Sequence, residues 1–98
     1  MDKHGLPMDA IAKLCRAYHV RELSLFGSAV RGESGPDSDL DLLVVFEPHT
    51  RVGFMMLAGL QRELSALMNR SVDLVPKEGL KPLIREEILA ESEVLFAA

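Results

Sequence analysis

The chain has 98 residues, 48% of them hydrophobic and 27% charged, with a formal charge of −4. That length provides for one modest core and no second domain, and its scattered Lys and Arg make no cationic patch for direct nucleic-acid binding. A single cysteine, Cys15, excludes an internal disulfide or a Cys-rich metal site and reads as a small core residue of a reduced, cytoplasmic protein.

Apolar residues at three- and four-residue spacing (Met8, Ile11, Leu14, Cys15, Tyr18) predict an amphipathic helix over 7–18, with Pro7 in its first turn. Residues 23–26 are a short apolar run stopped by Gly27-Ser28, which predicts a strand entering a tight turn, with a brief helical turn at 29–31. Gly32, Gly35 and Pro36 mark a loop, and the Leu- and Val-rich run 39–46 predicts a second strand, ended by Glu47-Pro48. Over 51–69 the stripe Phe54, Leu57, Leu60, Leu64, Leu67 and Met68 predicts the longest helix, with Thr50 as its N-cap. A strand over 71–75 ends at Pro76, a helix follows over 82–90 with Leu83, Ile84 and Ile88 inward, and 93–96 closes the sheet as an edge strand. No apolar stretch approaches the roughly 18 residues of a membrane span, and residues 1–7 lack the apolar centre of a signal peptide. The pattern is that of an α/β (α+β) domain, a small mixed sheet with helices packed on it, occupying residues 1–98 as a single unit.

Two carboxylates stand where the second strand begins. Residues two apart on a strand share a face, so Asp39 and Asp41 project together while Leu40, Leu42 and Val44 turn to the core. Close carboxylates repel unless a cation neutralises them, and oxygen-only ligation suits a hard ion such as Mg²⁺. Asp73, between Val72 and Leu74, is the best third carboxylate. Glu47 shares the parity of Asp41 but lies roughly 20 Å along the strand, too far to serve the same ion. A bare Asp-x-Asp more often just solvates a strand end. What raises its weight is Gly27-Ser28, because a glycine at a strand end lets backbone approach a ligand and amides opening a helical turn form an anion site.

Gly27-Ser28, ten intervening residues and Asp39-Leu40-Asp41 resemble the hallmark of the nucleotidyltransferase superfamily that includes DNA polymerase β, and within it the minimal nucleotidyltransferase (MNT) domains. The resemblance extends through Arg31-Gly32-Glu33, Pro36-Asp37-Ser38, Val72-Asp73-Leu74, Leu80-Lys81-Pro82 and Ile84-Arg85-Glu86, nearly the whole chain. It implies the polymerase β-like fold and transfer of AMP from ATP with release of pyrophosphate. Asp39 and Asp41 would hold two Mg²⁺ ions, Asp73 would complete the metal site and help activate the incoming hydroxyl, and Gly27, Ser28 and Arg31 would bind the nucleotide's phosphates. Two departures stand out: the family often carries arginine at the places of Ala29 and Gly35.

Larger relatives carry an added acceptor-holding domain that has no room here, so the acceptor must come from outside. The resemblance implies a separate protein, a helical HEPN ribonuclease toxin that receives AMP on a tyrosine and is silenced. Two alternatives are a weakened module that neutralises its partner by binding alone and a small-molecule or RNA nucleotidyltransferase using a second subunit. Phe54, Met55 and Met56 form either a partner-facing patch or, for Phe54 most simply, core. His4, His19 and His49 are isolated, and Lys77 and Lys81, just after the third strand, either touch phosphate or base or, more simply, are solvated charges.

Overall fold

The computed structural model describes residues 6–27, 30 and 39–98. Among these the chain forms α1 (Met8–Ala17), β1 (Val20–Phe26), β2 (Leu40–Phe46), α2 (Phe54–Met68), β3 (Val72–Pro76), α3 (Pro82–Glu91) and β4 (Glu93–Ala97), with a short 3₁₀ turn at Lys77–Gly79. The strands make a mixed sheet in the order β3-β2-β1-β4. β1 runs antiparallel to both β2 and β4, whereas β2 and β3 are parallel and therefore need the crossover that α2 supplies.

The expected mixed sheet with packed helices is what forms. Leu40, Leu42 and Val44 face the core as their alternation predicts, and with Leu23, Leu25 and Leu74 they make its floor. Ile11 and Cys15 of α1 and Leu60, Leu64 and Met68 of α2 close over that floor, each buried leucine or isoleucine contributing about 1.5–3 kcal/mol. Burial pushes the Cys15 thiol up to about 12, so this residue is the inert core group its setting predicts. The two covering helices are also joined at their outer edge, where the Tyr18 hydroxyl donates to the Glu63 carboxylate. Tyr18 lies against Gly59, where a Cβ would come within 3.1 Å of its oxygen.

Several boundaries differ from expectation for identifiable reasons. Pro7 caps α1 instead of opening it, its carbonyl accepting from Ile11 N–H at 3.0 Å. β1 starts at Val20, not at residue 23, because the buried Val20 continues the ladder past a register shift that Arg21 and Glu22 disguise in the sequence. Asp39 lies just before β2, whose ladder opens with Leu40 N–H donating to Ser71 at 2.9 Å. Thr50 is not the cap of α2. Gly53 holds that position in extended backbone, with no side-chain cap bond.

Two readings of apolar faces fail. Phe54 is 84% exposed, along with Met55, because α2 begins beyond the floor that buries Leu60 and Leu64. On α3, Leu83 is 94% exposed and Ile84 also lies open, leaving Ile88 half-buried as the one inward position of the expected three. His19 and His49 sit at turns in the left-handed region, with φ of 60° and 68°, which accounts for them structurally.

Candidate active site

The strand register draws one row across the open face of the sheet. Phe26 pairs with Asp41, and Asp41 pairs in turn with Asp73. Paired residues share a face, and this face is opposite the one carrying Leu25, Leu42 and Leu74 to the core. Asp41 and Asp73 are thus neighbours on adjacent parallel strands, and Asp39 stands exposed immediately before β2.

Gly27 terminates β1 with φ +80°, a left-handed conformation that glycine adopts without a Cβ penalty. Its lack of a side chain matters for a second reason, because a Cβ here would fall 2.6 Å from Oδ2 of Asp41. The glycine therefore both turns the chain and leaves space in which the Asp41 carboxylate sits. The turn is under way by Val30, whose N–H donates to the Gly27 carbonyl at 3.2 Å. Ser28 and Arg31, the other expected nucleotide-binding residues, and Ala29 and Gly35 lie outside the described residues.

The half-buried Asp41 carboxyl is held above its ordinary carboxylate range, first by desolvation and then by the negative charges of Asp73 and Asp39. Asp41 thus lies within the electrostatic reach of both other acids. The three do not form a closed cage, however: among the described residues no group of three His, Cys, Asp or Glu side chains is arranged to enclose a metal ion. Adjacent oxygen ligands of this kind fit a hard divalent cation that is held by one or two carboxylates and takes its other ligands from substrate phosphates and water.

Beside Gly27 a cleft of about 330 Å³ opens between the end of β1 and α3, lined by Phe26, Gly27, Ile84, Glu87, Ile88 and Glu91. Of these, Ile84 and Ile88 are expected from the sequence as inward positions, whereas nothing in the sequence points to Glu87 or Glu91 beyond their spacing from Ile84, which puts all four on one helical face. Lys77 belongs elsewhere, since it lies about 13 Å along the chain direction from Asp73 and pairs with Glu22 at 3.9 Å. No helix among the described residues is long and apolar enough to cross a membrane.

Comparison with known proteins identifies the family. The family model described as "Nucleotidyltransferase domain" matches residues 8–95. The protein adenylyltransferase MntA of Thermococcus cleftensis is 42% identical over 79 residues, 81% of this chain and 78% of the relative. A solved structure described as a minimal nucleotidyltransferase is 38% identical, with a TM-score of 0.75 over 88% of this chain and 86% of that one. The fold is also shared, at 19% identity and a TM-score of 0.69, with a complex of tri-AMPylated Shewanella oneidensis HEPN toxin and MNT antitoxin, over 98% of this chain and 74% of that one. Matched over residues 8–95 by the family model and over most of its length by these relatives, the chain belongs to the nucleotidyltransferases of the minimal type.

Proposed function

We propose that this chain is a single-domain protein adenylyltransferase that moves AMP from ATP to a hydroxyl, by preference a tyrosine, of a separate helical HEPN-type toxin in the cytoplasm. The observation that carries the reading is Asp41, packed against Gly27 and paired with Asp73 on the adjacent parallel strand. Support for the acceptor class comes from the adenylyltransferase relative and from the AMPylated toxin held by an MNT antitoxin of the same fold.

In this reading Asp39 and Asp41 are the ligands for two Mg²⁺ ions, with Asp73 completing the set. The bound cations would neutralise charge on the triphosphate and lower the pKa of the attacking hydroxyl. Gly27, with Ser28 and Arg31, holds the phosphates through amides and cationic charge. Asp73, exposed beside Asp41, accepts the proton of the hydroxyl as its oxygen bonds to the α-phosphorus, and pyrophosphate departs as the bond to the β-phosphate oxygen breaks. The cleft under α3 suits the nucleoside better than the phosphates. Its Ile84, Ile88 and Phe26 offer apolar surface, while Glu87 and Glu91 can accept from ribose hydroxyls but would repel phosphate.

The test is the intact mass of the co-purified partner after incubation with ATP and Mg²⁺. An AMP increment on a hydroxyl side chain is expected. A tight complex whose partner gains no mass would overturn the reading in favour of neutralisation by contact.

A further inference from the structure

β3 is the outer strand of the sheet on the side of the acids, and its inner edge is the one bound to β2. Leu40 N–H donates to the Ser71 carbonyl, so by alternation residues 71 and 73 turn their backbone groups toward β2. Val72 and Leu74 then turn theirs outward, the side on which an edge strand normally presents unsatisfied amides. Both amides instead reach α2. Val72 N–H donates to Ser65 Oγ at 3.0 Å, and Leu74 N–H donates to Gln61 Oε1 at 3.0 Å.

The match follows from helix and strand geometry. Residues four apart on a helix rise about 6 Å, and residues two apart on a strand about 6.6 Å, so Gln61 and Ser65 can meet alternate amides if the two elements run in opposite directions. They do, the earlier helix residue taking the later strand residue. Ser65 is itself fixed, because its hydroxyl hydrogen goes to the Gln61 backbone carbonyl at 2.8 Å and its lone pairs remain for Val72. Asp73 lies between the two clamped amides. As an exposed side chain on an outer strand, it takes its position relative to Asp41 from the β3 backbone.

We infer that Gln61 and Ser65 are positioning residues for Asp73, acting as a side-chain strand that holds β3 in register so that the Asp73 carboxylate stays beside Asp41; this rests on the catalytic reading of Asp73 given above. Two like charges on adjacent strands push β3 outward, and the clamp opposes that movement from the far edge. A displacement of about 1 Å in a reacting group can cost about 10²-fold in rate, so even partial loss of the clamp is measurable.

The experiment compares wild type with Gln61→Leu, which removes the acceptor, Gln61→Glu, which keeps an acceptor oxygen, Ser65→Ala, which removes the acceptor for Val72 together with the bond to the Gln61 carbonyl, and Asp73→Asn as a reference. Three quantities are read on the full chain with its partner: amide exchange at Val72 and Leu74, Mn²⁺ affinity in the presence of ATP by water-proton relaxation, and AMP transfer as a function of Mg²⁺. Gln61→Leu should speed exchange at Leu74, weaken Mn²⁺ binding, slow transfer about tenfold and raise the Mg²⁺ needed for half the maximal rate, with Gln61→Glu restoring most of each. Ser65→Ala should do the same more weakly through Val72. Faster exchange with unchanged Mn²⁺ affinity and rate would overturn the inference and reduce the two bonds to edge protection, and unchanged exchange would overturn it as well. An Asp73→Asn protein indistinguishable from wild type would overturn the assignment of Asp73 itself, which separates that failure from failure of the clamp.

Discussion

The helices on the two faces of the sheet are covered to different degrees. α1 and α2 bury Ile11, Cys15, Leu60, Leu64 and Met68 against Leu23, Leu25, Leu42 and Leu74, whereas α3 has no buried residue and leaves Leu83 almost wholly open. The open face carries the row Phe26, Asp41, Asp73, and there the local interactions are unfavourable to the fold: adjacent like charges and a desolvated carboxyl. Stability is concentrated on one face and chemistry on the other, so substitutions on the two faces should separate folding from activity.

The largest separation is expected at Asp41. Asp41→Asn keeps the shape but removes charge needed to hold a divalent cation, so AMP transfer should fall about 10³-fold and Mg²⁺-dependent ATP affinity should drop in titration calorimetry, as it should for Asp39→Asn. Equal Mg²⁺-dependent affinity in all three proteins would break the comparison. On the core face, Leu64→Ala should cost about 2–5 kcal/mol in denaturant unfolding, while Leu83→Ala on α3 should change stability by about 0.5 kcal/mol or less. Similar losses at both positions would show that α3 is covered as firmly as α2.

Gly27→Ala sharpens the boundary between the faces, since it adds about 1–2 kcal/mol of left-handed strain and drives a methyl into the Asp41 carboxylate. Both stability and ATP affinity should fall, the one affected position where they do so together. The smallest effect returns to Asp41. Its folded-state pKa is raised, so the ionised carboxylate subtracts stability above that pKa and the penalty disappears as the pH falls through it. In metal-free buffer at neutral pH, Asp41→Asn should therefore raise the melting temperature slightly, and the gain over wild type should shrink as the pH is lowered.

Much of this division was legible in the sequence. The alternation Leu40, Leu42, Val44 against Asp41 assigned the two faces of β2, and the apolar neighbours of Asp73 put it on the outer face of its strand. Periodicity did not reveal whether an apolar helix face would find anything to cover it. Phe54 continued the stripe of α2 one turn beyond the floor of the sheet, and Leu83 and Ile84 read as inward although of the three only Ile88 is half-buried. Gln61 and Ser65 were invisible for the opposite reason: polar residues flanking an apolar stripe read as solvated until the strand amides they reach are placed beside them. Thr50 offered a good capping side chain, but capping depends on where the helix starts, and the first turn formed at Phe54.

The account stands most directly on Asp73, the residue whose face and neighbour are set by the register of two parallel strands. The measurement is the rate of AMP incorporation into the partner by Asp73→Asn and wild type at saturating ATP and Mg²⁺, with partner affinity determined on the same samples. Loss of a positioned base predicts a rate lower by about 10²–10⁴-fold with partner affinity unchanged. An unchanged transfer rate would contradict the account, removing Asp73 from the site and leaving Asp39 and Asp41 without a third carboxylate.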